Sequence, residues 1–386
     1  MKKTVLAAAI LGGLALDAHA QSSVTLYGLI DAGISYVNHA RTDTGHGSVV
    51  KYGEGVASGN RWGLRGTEDL GGGLKALFVV ESGFNTGNGA MLLGGIFGRQ
   101  AFVGLSQRGV GSLTFGRQYS LSTDVLGANY SNGSQTVAGN YAYRINDVDQ
   151  LTASRVNNAI KFSSANFSGF TFGALYGFSN QAGAFAGAPA GGNSAAPQAG
   201  SSRTYSFGAN YANGPLSLGT AYTDIRYPSQ AVPAFSTTIA NVSMGNVRDL
   251  RTFGAGARYA LGAATFWALY TNTRFETVTD VATTFTAYDA GAKYAFTSAL
   301  TVGAGYTYMH LGDAHSGHWN QGSLSVDYSL SRRTDVYALG VYQVASGRNG
   351  TQDVQAQIGS TPVFFGPSGV GANDQLAFRV GIRHRF

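Results

Sequence analysis

Arg61, Arg65, Arg155 and Lys161 each lie inside a short segment of alternating apolar and polar residues, and each falls on the polar side. Arg61 and Arg65 stand opposite Trp62 and Leu64, while Arg155 and Lys161 stand opposite Val156, Ile160 and Phe162. Successive side chains of an extended chain point to opposite faces, so these cations share a face with polar groups. Guanidinium and ammonium groups on the wall of a narrow passage attract and steer anions. Arg99 has the parity of Phe97 and Val103, which leaves its face less decided. Arg117 has the parity of Phe115 and Tyr119, and is expected to face the other way. Asp124, Asp147 and Asp149 are the only carboxylates between positions 120 and 154, and are the candidates to oppose the cations. The plain alternative for them is solvation or capping of local backbone. Glu81 and Asp31 fall on polar faces and should temper the positive field.

Other chemistry finds little support. His310, His315 and His318 crowd one expected loop with Asp313. A metal site needs three or four ligands in a fixed shape, which a flexible loop seldom provides, so no metal is expected. Gly71-Gly72-Gly73 reads as a tight turn and lacks the Lys-Ser/Thr of a phosphate loop. No Gly-x-Ser-x-Gly elbow occurs, and no His-bearing segment carries a paired serine motif. No cofactor is expected, and no basic run points to nucleic acid.

The elements that must position these residues are strands. Lys2 and Lys3, the apolar run Val5 to Leu16, and Ala18-His19-Ala20 make a signal peptide over 1–20, leaving 21–386 as the mature chain, with a net charge of +5. Nowhere in it do about 18 apolar residues run together, so no transmembrane helix is available. Cysteine is absent, so an exported chain of this size is held by backbone pairing and packing. Charged residues are 12% of the chain, about half of what a soluble domain carries, while 56 glycines and 21 tyrosines accompany a near-zero mean hydropathy. That combination fits an all-β transmembrane barrel with one lipid face and one wet face.

Alternation of period two runs throughout. Val24, Leu26, Ile30, Ile34 and Tyr36 oppose Thr25, Asp31 and Ser35; Phe170, Phe172, Ala174 and Tyr176 oppose Thr171 and Gly173. About sixteen such segments are expected, near 24–37, 58–69, 73–83, 97–107, 111–119, 155–164, 169–179, 203–213, 215–226, 249–261, 263–275, 284–296, 299–310, 319–330, 333–345 and 374–386. In lipid every backbone amide needs a partner, so the antiparallel sheet must close. In 333–345, Val336, Tyr337, Leu339 and Val341 place apolar side chains on both faces. Connections are expected to alternate strictly between tight turns and long loops, among them 38–57, 120–154, 180–202, 227–248 and 346–373. Short periplasmic turns and long external loops are the asymmetry of an outer-membrane barrel. Phe378, Val380, Ile382 and Phe386 share one face of the last strand, which matches a closing strand.

The order and spacing of several motifs carry a resemblance over nearly the whole mature chain. They are Ser23-Val24-Thr25-Leu26-Tyr27-Gly28, Arg61-Trp62-Gly63-Leu64-Arg65-Gly66, Phe97-Gly98-Arg99-Gln100-Ala101-Phe102-Val103-Gly104-Leu105, Phe115-Gly116-Arg117-Gln118-Tyr119, Arg155-Val156-Asn157-Asn158 and Gly381-Ile382-Arg383-His384-Arg385-Phe386. In this order they resemble the trimeric, sixteen-stranded general porins of Gram-negative bacteria. The resemblance implies a homotrimer in outer-membrane lipid, with the third long loop, 120–154, folded into each barrel. This loop lacks the Pro-Glu-Phe motif of the enteric porins. The resemblance further implies Arg61, Arg99 and Arg155 on the constriction wall, with Arg65 and Lys161 beside them by parity. It places Arg117 in a subunit interface and makes Phe386 a signal for the assembly machinery. The expected function is passive diffusion of small polar solutes and ions with a modest anion preference. A barrel enzyme, a solute-specific channel or an adhesin are the alternatives.

Overall fold

The computed structural model describes residues 23–152, 154–178, 203–227, 238–350, 352–360 and 365–386; the expected signal peptide, the loop 180–202 and much of 227–248 lie outside them. The strands are β1 (Ser23–Thr42), β2 (Gly45–Glu54), β3 (Arg61–Gly71), β4 (Leu74–Gly83), β5 (Gln100–Gln107), β6 (Gly111–Tyr119), β7 (Arg155–Ser164), β8 (Phe170–Gly177), β9 (Arg203–Asn213) and β10 (Leu216–Arg226). They continue as β11 (Thr238–Ile239), β12 (Val242–Ser243), β13 (Val247–Leu261), β14 (Ala264–Thr277), β15 (Ala282–Ala295), β16 (Leu300–Asp313), β17 (Ser316–Ser329), β18 (Thr334–Asn349), β19 (Gln352–Asp353) and β20 (Asp374–Arg385). Leaving out β2, β11, β12 and β19, sixteen strands pair antiparallel in chain order, and β20 pairs with both β18 and β1, so the sheet closes on itself. Closure gives each strand edge a partner, which is the condition for crossing lipid as a sheet. The pleat sorts side chains as the alternation requires: Val24, Leu26 and Ile34 are exposed outward, whereas Asp31 and Ser35 are fully buried inside.

Two features depart from the sequence expectation. The region 38–57 is largely strand: β1 runs on to Thr42 and returns as β2. One edge of β1 pairs first with β3 and then with β2, so β2 and β3 act as one spanning strand interrupted at 55–60. The alternation of short and long connections is also not strict. β14 and β15 are joined by 278–281, and β16 and β17 by 314–315. These strands lengthen because Phe275, Phe285, Met309, Leu311 and Trp319 find apolar partners inside the barrel. The histidine loop contracts accordingly, and His310 and His318 become cross-strand partners on β16 and β17.

Three apolar clusters fill much of the lumen. One joins Ile239, Val242, Met244, Val354 and Ala356 of the external connections to Ile145 and Val148 and to the inner faces of β13 to β18. A second joins Val56, Tyr141 and Ile358 to Tyr337, Leu339 and Val341 of β18. The third seats Leu121, Val125, Leu126 and Tyr130 against Leu175, Ala221 and Leu269. Inward packing explains why β18 is apolar on both faces: one faces lipid and the other faces folded loop.

Candidate functional site

The segment 120–154 leaves β6 and folds into the barrel as short helical turns, Ser122–Gly127, Ala128–Tyr130, Asn132–Gln135, Gly139–Ala142 and Ile145–Asp147. Its neck is closed by a hydrogen bond from the Ser120 amide to the Ser154 carbonyl, 2.9 Å. The segment then crosses the lumen along the far wall. The Tyr130 side chain fills the space where side chains on Gly219 and Gly256 would stand, and its hydroxyl meets Ser217 at 2.7 Å. The Asn132 amide donates to Asp289 (3.1 Å), Asn132 Nδ2 to Ser323 (2.7 Å), and Lys293 Nζ to the Gln135 carbonyl (3.0 Å). At its tip, Asn140 donates from its amide to the Val56 carbonyl (2.6 Å) and from Nδ2 to the Gly55 carbonyl (2.5 Å). Gly139 takes φ +50 there, and a Cβ would stand 2.1 Å from the Val56 oxygen, so the tip requires glycine. The break between β2 and β3 is thus the socket for the loop.

The return limb is held by charge. Arg144 is fully buried and reaches Asp149 at 3.2 Å and Asp289 at 3.4 Å; Thr271 donates to Asp149 at 2.9 Å. Burial pushes the Tyr143 phenol above its ordinary range and the Tyr141 phenol up to about 12, so both remain neutral partners in the loop. Tyr141 also shares a hydrogen bond with Ser35 at 2.9 Å.

Between this loop and the β1–β7 side of the wall lies a cavity of about 530 Å³, and it brings together Arg61, Arg99 and Arg155. Arg99 Nε donates to Glu81 at 2.6 Å, and Nη2 to the Tyr119 hydroxyl at 2.8 Å. Arg155 Nη2 donates to the same hydroxyl at 2.8 Å, with its guanidinium 4.6 Å over the Tyr119 ring. Arg61 stands 4.0 Å from Glu81, which also accepts from the Tyr27 hydroxyl at 3.0 Å. Arg65 and Lys161 are not in this cavity. They border a second one of about 500 Å³, where Lys161 pairs with Asp124 and donates to the Tyr119 carbonyl at 3.0 Å.

None of the three loop carboxylates lines this cavity. Asp124 is held by Lys161. Asp147 accepts from the Leu151 and Thr152 amides at 2.9 and 3.1 Å, capping its own loop. Asp149 is buried against the opposite wall with Arg144. The loop presents neutral Gly127, Ala128, Ser134 and Thr136 to the cavity instead. The physical reason is burial: an ionised carboxylate inside a packed loop needs a partner within reach, and each has found one.

Two further groups belong to the site. Tyr119 shares the outward parity of Arg117, yet it bridges two arginines; it is the last residue of β6, where the chain turns inward and pleat parity lapses. Arg383 also borders the cavity, with Nε 3.0 Å from Asp335 and Nη1 3.0 Å from Ser58. It was legible, since Val380 and Ile382 point outward and Arg383 has the opposite parity. Arg117 is half-buried, donates to the Gly98 carbonyl at 2.8 Å, and bonds Asn157. Among the described residues no group of three or more His, Asp or Glu is placed to hold a metal ion.

Comparison with known proteins places this arrangement. The profile of a Gram-negative porin family matches residues 4–349. An outer membrane porin protein of Bordetella pertussis is 40% identical over 240 residues, which cover 58% of this chain and 60% of the relative. Outer membrane porin protein 32 of Delftia acidovorans is 38% identical over 184 residues, 46% of this chain and 50% of the relative. The chain therefore matches one half to three fifths of the length of these relatives. Among solved structures, an anion-selective porin from Comamonas acidovorans superposes with a TM-score of 0.74 at 26% identity, covering 95% of this chain and 100% of that one.

Proposed function

Because the chain belongs to the Gram-negative porin family, we propose that this outer-membrane β-barrel is a passive, water-filled channel for small hydrophilic solutes and ions, with a modest preference for anions. The observation that carries the preference is the unequal charge of the two sides of the cavity. Lys51, Arg61, Arg99, Arg155 and Arg383 border it from the wall, tempered by Glu54 and Glu81, while the inward loop contributes neutral groups. In such a slot the low-dielectric wall focuses the field on the passing ion. Salt screens charges beyond about 8 Å at physiological strength, so the preference acts only along the narrow zone and does not exclude cations. The likeness to an anion-selective porin supports the same sign.

The chain acts as a homotrimer of separate pores, with Arg117 at or near the contact between subunits and Phe386 read by the outer-membrane assembly machinery. Both roles rest on the family resemblance. Family and barrel together favour a channel over an enzyme.

The deciding experiment is reversal potential in a KCl gradient across planar bilayers. Replacing Arg61, Arg99 and Arg155 together by glutamine should move it toward cations, and lowering the ionic strength should enlarge the wild-type preference. A triple variant that keeps the wild-type potential would assign selectivity to the external loops.

A further inference from the structure

Leu77 and Val79 on β4 share the parity of Glu81, so they point into the lumen, and Phe102 on β5 is the register partner of Val79. All three are half-buried and line the cavity of about 500 Å³ that Arg65 and Lys161 border. None of them belongs to the apolar clusters that folded loops make with the inner wall elsewhere. Apolar surface that faces water is favourably covered by any apolar group that reaches it. The row that holds Phe102 is also ordered by polarity. The register runs from Thr25 on β1 to Arg65 on β3, Val79 on β4 and Phe102 on β5, each directly across from the next. Adjacent strands lie about 4.8 Å apart, so Arg65 and Phe102 are separated by ~10 Å across the wall. The next residue in the row is Gly116 on β6, which places no side chain beside Phe102.

Arg65 is the cation left over here. Lys161 is answered by Asp124, which borders the same cavity. Arg65 is exposed and makes no ion pair or hydrogen bond among the described residues; its contact is with the Tyr27 ring, 5.2 Å from its guanidinium carbon. The Thr25 hydroxyl is exposed beside it. Arg65 lies four residues from Arg61 toward the turn at 72–73, ~13 Å along β3, so the row sits on the short-turn side of the arginine cluster.

We propose that this row binds small aromatic carboxylates passing through the pore, with the carboxylate at Arg65 and Thr25 and the ring over Val79 and Phe102. The inference rests on the channel reading above and adds a solute class to it. A guanidinium takes a carboxylate through two parallel charge-assisted hydrogen bonds, and the Thr25 hydroxyl donates a third. The ring packs against Phe102 in an offset or edge-on contact, and Leu77, two residues from Val79 on the same face, extends the apolar floor. Chloride and acetate carry the charge but have no ring to lay on Phe102, so they pass without pausing.

The test uses phenylacetate, acetate and phenylethylammonium as probes in two measurements on the whole protein. In planar bilayers bathed in KCl, phenylacetate should interrupt the single-channel current increasingly with its concentration, and the other two should not. Saturation-transfer NMR of the purified protein in deuterated detergent reads the same binding without requiring conduction, with the strongest transfer at the ring protons. Phe102→Ser and Arg65→Gln should each weaken phenylacetate binding about tenfold, through loss of a ring contact and of a charge-assisted bond. Phe102→Ser removes no charge and lies outside the arginine cavity, so its KCl conductance and reversal potential should match the wild type's. A wild type that conducts KCl but shows neither interruption nor saturation transfer overturns the site and leaves the channel reading intact. Ring-centred transfer in a protein that conducts nothing does the reverse. Equal interruption by acetate, or wild-type phenylacetate binding in Phe102→Ser, would assign the binding to the arginine cluster and overturn the proposal. Equal interruption by phenylethylammonium would overturn it too, since the row would then read the ring and not the charge.

Discussion

Glu81 and Tyr119 decide how much of the arginine charge the cavity feels. Glu81 neutralises part of Arg99 and stands beside Arg61, and the Tyr119 hydroxyl accepts from Arg99 and Arg155 together. A neutral acceptor lets two guanidinium groups sit close without cancelling either. Glu81→Gln therefore leaves the positive charge less opposed, and its reversal potential should move further toward anions than the wild type's. A shift toward cations would mean that the arginines disperse without Glu81 and that its role is to hold them. Tyr119→Phe removes the shared acceptor but no charge. Its reversal potential should stay on the anion side while open-channel current noise rises; a shift as large as that of Arg99→Gln would assign the selectivity to the phenol.

At the scale of elements, the inward loop is a built part of the wall. Its tip is socketed in the break between β2 and β3, and its return limb is fastened by Arg144 to Asp149 and Asp289. Removing one member of a buried ion group leaves its partners uncompensated, at a cost of about 3–5 kcal/mol. Arg144→Met should thus lower the urea midpoint of the purified barrel and produce frequent spontaneous closures. Restoring the group's original net charge with Asp149→Asn in the same chain should recover part of the loss, and no recovery would show that Arg144 acts by packing alone. The tyrosines give a pH dependence. Burial raises the folded pKa of Tyr141 from the ordinary phenol value of 10.0 to about 12, so the stability that it contributes is complete below pH 10 and is lost as pH rises through about 12. Closures should become more frequent in that alkaline window, and Tyr141→Phe should flatten the rise at the expense of the bond to Ser35.

For the whole molecule, closure is the event on which everything else depends. β20 joins β18 to β1, and Phe386 exchanges two backbone hydrogen bonds of 3.1 Å with Gly28. The Phe386 ring covers Gly28 so closely that a Cβ there would stand 2.2 Å from it. Phe386→Asp should cut the surface yield of heat-modifiable trimers, and Gly28→Val should do the same by displacing the ring. Normal yield from both would remove the terminal ring from assembly. Trimer association is tested separately: Arg117→Ala should lower the temperature of trimer dissociation with conductance per pore intact. A lowered anion preference in that variant would place its charge in the lumen.

What the sequence determined by itself was whatever depends on local periodicity and on the cost of charge in lipid. The two-residue alternation defined the strands, and the number of spanning strands follows from it. Arg61 and Arg155 could be read because a cation on the lipid face is penalised by about 2–4 kcal/mol, so parity alone assigns their side. The same reasoning reached Arg383 once Val380 and Ile382 were set outward. Tertiary structure decided what parity does not reach. Arg99 lies just outside β5 and Tyr119 at the last position of β6, where the pleat no longer dictates direction. The acids of the inward loop were readable as candidates but not as partners. Their destinations, Lys161, the loop's own amides and Arg144, depend on where 120–154 comes to rest. The mixed faces of β18 had the same cause, since no pattern within a strand records what another segment will fold against it. Alternation reports which side of a sheet is wet only while that side meets water, and here packed loops have replaced the water along the parts of the inner wall that the apolar clusters cover.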